Sequence, residues 1–145
     1  MAPRSERDRD RGELDELLGE LLTGRRTRAQ RAFRPAADVF RTASPPEVVV
    51  VVDLAGVDPT EIELGFAEGV LTIVGVRRRP AHEHAVYQQL ELDAGPFARQ
   101  VAVGADADPQ RAEATVERGL LTVRFPVRRR EADPVRMVIA VVRRP

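Results

Sequence analysis

The stretch "ERGLLTVRFP", Glu117 to Pro126, decides the fold. It reads as a tight turn that runs straight into a strand. Gly119 stands where a turn needs positive φ, and Leu121, Val123 and Phe125 then alternate with Thr122 and Arg124. The same design occurs earlier as "AEGVLTIVGV", Ala67 to Val76, with Gly69 ahead of Leu71 and Ile73. A Gly-hydrophobe-Leu-Thr-hydrophobe word after a charged residue is a hairpin signature, and the chain carries it twice. Neither copy has a catalytic type of residue beside it.

Around these two words the apolar period stays at two. Val48 to Leu54 is a Val-rich strand closed by "AGVDP", where Gly56 and Pro59 punctuate. In "EIELGF", Ile62, Leu64 and Phe66 share one face and Glu61 and Glu63 the other. "YQQLEL" alternates through Leu90 and Leu92, "FARQVAV" follows Gly95-Pro96, and "AEATVE" carries Ala112, Ala114 and Val116. Short strands at close spacing with turn signals between them predict an all-β fold, an antiparallel sandwich or barrel rather than βαβ units. Aromatic residues are few, so the core rests on Val, Leu and Ile, which suit a pleated surface.

Composition excludes several functions. The 145 residues suit one domain with tails. Basic and acidic residues balance at 23 each, which gives no global attraction to nucleic acid or an anionic membrane and no self-repulsion against association. Every basic side chain apart from two histidines is Arg. Without cysteine there is no disulfide, thiolate nucleophile or Cys-ligated zinc. His82-x-His84 alone does not make a metal site. Ser5 and Ser44 lie in no nucleophile elbow, and neither a P-loop nor G-x-G-x-x-G is present. No cofactor is expected, and the chain does not read as an enzyme. The N-terminus "MAPRSERDRDRGE" lacks an apolar core, so it reads as no signal peptide. "VVVVV" is too short to span a bilayer, and the expected compartment is the cytoplasm.

The two ends have a different texture. In residues 1–34, Leu14, Leu17, Leu18, Leu21 and Leu22 fall at helical spacing, with acids early, Arg25 and Arg26 late and Gly24 as a stop. So short a helix is marginal alone and needs a partner surface. The run "GRRTRAQRAFR" is basic but follows an acidic helix in a neutral chain, so nucleic acid is not the expected partner. Residues 128–145 hold a charged spacer and an apolar word, Val138 to Val142, set apart from the sandwich.

Taken in order, "RPAADVF", "VVVVDLAGVDPTEIEL", "EGVLTIVGVRR", "GPFARQVAV" and "ATVERGLLTVRFPV" resemble the α-crystallin domain of small heat-shock proteins, bacterial type, over Phe33 to Val127. The most specific word is Ala114-x-x-x-x-Gly119-Leu120-Leu121-Thr122-Val123, which is similar to the family's A-x-x-x-x-G-V-L-T-V. Departures fall at turns: Phe33 where an aromatic Trp is usual, Ala55 for Pro in L-P-G-V, and Val103-Gly104 for Leu-Pro.

The resemblance implies an immunoglobulin-like β-sandwich over residues 35–127, with a helical N-terminal arm and an extended C-terminal tail. It implies an ATP-independent holdase that dimerises, assembles further and binds partly unfolded clients. A non-oligomerising adaptor or co-chaperone module on the same sandwich is the alternative. In such a fold "EIELGF" and "RAEATVE" would be sheet edges bounding a groove. Ile62, Leu64 and Phe66 would form one wall and Ala112, Ala114 and Val116 a lower one. Ile139 and Val141 resemble the family's I-x-I anchor and would dock in a neighbour's groove, with Met137-x-Ile139 as a second register. The run from Arg77 to Gly95 is long for a hairpin. The family uses such a loop to pair with a neighbour, here Val86 to Leu90 against Ala37 to Thr42. Val39, Phe40, Val86, Tyr87 and Arg99 would then lie at the dimer interface, with Arg99 facing an acid. The leucine stripe would pack within the oligomer or catch clients.

Overall fold

Both glycine words are two-residue hairpins, and both residues of each loop are left-handed. Glu68 and Gly69 lie at φ 51° and 74°, Arg118 and Gly119 at φ 52° and 77°. That is the type I′ turn, whose twist matches the strands on either side. A computed structural model describes residues 6–23, 32–128 and 137–144. Gly24, Arg25 and Arg26, the proposed helix stop and its basic end, lie outside the described residues, as does most of "GRRTRAQRAFR".

The described chain has one helix, α1 (Glu6–Leu22), and nine strands: β1 (Ala37–Ala43), β2 (Pro46–Asp53), β3 (Ile62–Ala67), β4 (Val70–Arg77), β5 (Gly95–Ala102), β6 (Glu113–Glu117), β7 (Leu120–Pro126), β8 (Met137–Ile139) and β9 (Val141–Arg143). They form two sheets, ordered β1-β2-β7-β6-β9 and β5-β4-β3-β8. One I′ hairpin lies in each sheet, β6–β7 in the first and β3–β4 in the second. The likeness extends upstream. A 3-10 turn precedes β3 and another precedes β6, each with Pro at its first position. Asp58 and Asp108 cap them by accepting from the amides of Thr60 and Gln110.

Alternation builds the core as expected. Val48, Val50, Val52, Leu121, Val123 and Phe125 from the first sheet meet Leu64, Phe66, Leu71, Ile73, Phe97 and Val101 from the second. Phe66 and Phe125 pack with ring centroids 5.4 Å apart. Phe33 pairs with the outer edge of β5: its amide donates to Pro96, its carbonyl accepts from Ala98, and its ring lies 5.6 Å from that of Phe97. Arg41 grips Asp106 with two hydrogen bonds, 2.8 and 2.9 Å, tying β1 to the loop after β5.

Two expectations are corrected. "YQQLEL" is not a strand of the protomer: the segment 78–94 is irregular and largely exposed, because no edge of its own chain is offered to it. The tail word is not set apart from the sandwich either, since β8 and β9 extend both sheets.

Candidate functional site

The groove is built by the two hairpins. β3 and β6 are the outermost strands of their own sheets on the same side of the sandwich, so each leaves a row of unpaired backbone groups beside the core. One short tail satisfies both. β8 runs antiparallel to β3, with Leu64 opposite Ile139 and Phe66 opposite Met137. After Ala140 the chain crosses to β6, where β9 runs parallel with Ala114 opposite Val141. A single segment that is antiparallel to one edge and parallel to the other means that β3 and β6 run in opposite directions.

Side chains follow from this register. Ile62, Leu64, Phe66, Ala114 and Val116 are buried in the core, and Ala112 packs partly buried against it. Ile139 joins them at 7% exposure, while Val141 is half-buried and Met137 remains at the rim. Val138 and Val142 point outward and are exposed. The Ile139/Val141 register is therefore the seated one. The groove is that of the tail's own protomer, not of a neighbour, because the tail returns directly across the end of β7. The Ala wall is low, and a cleft of about 510 Å³ lined by Ala112, Ala114, Met137 and Ile139 stays beside the tail.

The opposite side of the sandwich carries the other open edge. β1 has no partner beyond β2 among the described residues. Phe40 is 47% exposed and Val39 similar. In the loop 78–94, Val86 is 89% exposed, and Tyr87, Leu90 and Leu92 are also exposed. The Arg79 guanidinium sits 5.8 Å over the Tyr87 ring and donates to the Leu92 carbonyl at 2.8 Å, which braces the loop. The structure does not bring this loop to β1 within one protomer.

Arg99 shares a face with the buried Phe97 and Val101. Its Nε is buried without a hydrogen-bond partner. Burial first, and then the like charge of Arg34, lower its pKa from the ordinary guanidinium value. Arg77 lies close by on β4, 5.0 Å over the Phe33 ring, and its Nε also lacks a partner. This end of β5 is a cationic corner with no acid recorded against Arg99.

The leucine stripe has a home the sequence did not reveal. Leu14, Leu17 and Leu18 are buried and Leu21 and Leu22 partly so, against Val74 and Ala98 on the outer face of β5-β4-β3. Gly65 makes the approach possible, because a Cβ there would sit 3.0 Å from Leu18 Cδ1 and 3.3 Å from Leu22 Cδ1. The Gln100 side-chain amide donates to the Leu21 carbonyl at 3.2 Å and to Thr72 Oγ1 at 3.3 Å, so it satisfies a carbonyl of the last helical turn. The legible signal was in β4, where Thr72 and Val74 are both fully buried on the face opposite Leu71 and Ile73. A strand apolar on both faces is covered on both.

Among the described residues no group of three or more side chains could hold a metal ion, and no helix is long and apolar enough to cross a membrane.

Comparison with known proteins agrees with this architecture. The family model described as Hsp20/alpha crystallin family matches residues 41–141, and the chain belongs to that family. Its class is that of the small heat-shock chaperones on an α-crystallin sandwich. The 18 kDa heat shock protein of Streptomyces albus G is 37% identical over 84 residues, 57% of this chain and 58% of that one. The match thus spans under two thirds of that relative. The 18 kDa antigen 1 of Mycobacterium avium is 30% identical over 134 residues, covering 92% of this chain and 85% of the other. Among solved structures, hspA from Xanthomonas axonopodis superposes with a TM-score of 0.60 at 30% identity, over 66% of this chain and 95% of that one.

Proposed function

We propose that the protein is an ATP-independent holdase that assembles from dimers into larger homo-oligomers and binds partly unfolded proteins in the cytoplasm. The observation that carries this is the groove between β3 and β6, two open sheet edges lined by apolar side chains and filled by an aliphatic strand. Such a site takes extended apolar segments by strand addition, whatever their sequence in detail. Ile139 and Val141 are the anchor, and exchange of tails between copies joins dimers. Each anchor side chain contributes roughly 1.5–3 kcal/mol before ordering costs, so one contact is reversible and many give avidity.

The dimer forms through β1 and the exposed loop: Val39 and Phe40 of one copy against Val86 and Tyr87 of the next, with a carboxylate of the second copy relieving Arg99. The leucine-striped arm, residues 1–34, contributes apolar surface to clients or neighbours. Residues 35–127 are the sandwich and 128–145 the anchoring extension. A second reading, a small adaptor, draws on the tail's seat in its own groove, which closes both edges without a partner.

Native mass separates the two. A large assembly that keeps heat-labile citrate synthase from aggregating without ATP is expected, and Ile139→Ser with Val141→Ser should reduce that mass. A small discrete species that leaves aggregation unchanged favours the adaptor.

A further inference from the structure

Helix α1 lies over β3 with carboxyl groups of both elements in contact. Asp15 of the helix shares a hydrogen bond with Glu63 of the strand, and two carboxyl groups make that bond only by holding a proton between them. The contact sits at the margin of the apolar face on which Leu14, Leu17 and Leu18 are buried. We propose that α1 is a pH-sensitive cover, clasped to the sheet by the proton shared between Asp15 and Glu63 and released when that proton is lost.

The surroundings set the direction. From α1, Arg11 and Asp15 face Glu63, with apolar Leu14 beside them. The turn before β3 brings Asp58 and Glu61 to the same cleft, and Glu61 is engaged by Arg78 at 3.2 Å. β4 sets uncharged Val74 opposite Glu63, and β8 brings no titratable side chain. Arg11 is thus the described cation favouring the Glu63 carboxylate, against burial and Asp15. Burial, followed by the Asp15 bond and charge, pushes Glu63 from 4.5 up to about 7 while α1 is docked.

The docked state therefore holds a proton that the undocked state gives up. Docking is strongest below pH 4.5, weakens between 4.5 and about 7, and stays weak above. The docking constant should fall on the order of tenfold across that window, below the full linkage limit because Glu63 is only half-buried. Release uncovers Val74 on the sheet and the leucine stripe on the helix together, so one deprotonation creates two apolar surfaces.

The test is hydrogen exchange of the α1 amides in the full-length protein from pH 5 to 8, expressed as protection factors corrected for intrinsic rates. Protection of Leu14 to Leu22 should fall as pH rises, and Glu63→Gln and Asp15→Asn should each flatten that profile. Gly65→Val, which fills the space under Leu18 and Leu22, should leave the helix unprotected at every pH with strand content unchanged by circular dichroism. Protection that is constant with pH in the unmodified protein would overturn the proposal. So would a pH dependence surviving in both carboxyl variants, or a protected helix in Gly65→Val.

Discussion

Glu68 and Arg118 occupy the first loop position of each I′ hairpin at positive φ, a conformation that strains a long L side chain. Asn tolerates it better, so Glu68→Asn and Arg118→Asn should each raise stability by about 0.5 kcal/mol in denaturant titration. Gly119 allows no such freedom. Its φ is 77° and a Cβ would lie 2.9 Å from Ala55 Cα, so Gly119→Ala should cost about 1–3 kcal/mol. Asp106 is a different kind of residue. Hydrogen bonds from Arg41 hold its carboxyl below the ordinary 3.8. The pair therefore contributes above pH 3.8 and is lost as pH falls through the depressed value. Thermal melts of Arg41→Gln should converge with the parent at the acid end and fall below it near neutrality, by under about 1 kcal/mol for so exposed a pair.

Elements were legible where the chain's own neighbours decide them. Ile62, Leu64 and Phe66, or Leu121, Val123 and Phe125, alternate because one face is core, and a period of two survives translation from text to sheet. Removing one large member, Phe125→Ala, should cost about 3–5 kcal/mol in the same titration, since Phe66 loses its ring partner. What escaped notice has physical reasons. "YQQLEL" alternates, yet pairing is a property of two strands, and this one has no second strand in its own protomer. The leucine stripe announced a need for cover without naming the surface, because Gly65 and Val74 look like ordinary strand residues until the outer face is seen. The Asp-Pro turns at Asp58 and Asp108 were in plain text, each the same distance ahead of its glycine, but the repeat was read only from the glycine onward. In the groove, residue identities were legible; whose tail fills it was not, since spacing along one chain does not say which copy it docks on.

At the scale of the molecule, each exposed apolar surface has a cover drawn from the same chain, except one. α1 hides the outer face of β5-β4-β3, and the tail hides the groove. β1 and the loop 78–94 remain open with Phe40 and Val86 in solvent. Self-association should accordingly begin there: Phe40→Asp should leave the melting temperature within a few degrees while moving the dimer toward monomer in sedimentation at low concentration. The seat of the tail in its own protomer carries a kinetic corollary. A tether as short as 129–136 keeps the strand at an effective concentration on the order of millimolar. Rebinding at home is first order and indifferent to dilution, whereas trading strands between copies is second order. Thin solutions then favour molecules that swallow their own ends, and crowding turns the same ends into links, so energy transfer between differently dyed copies should rise with protein concentration.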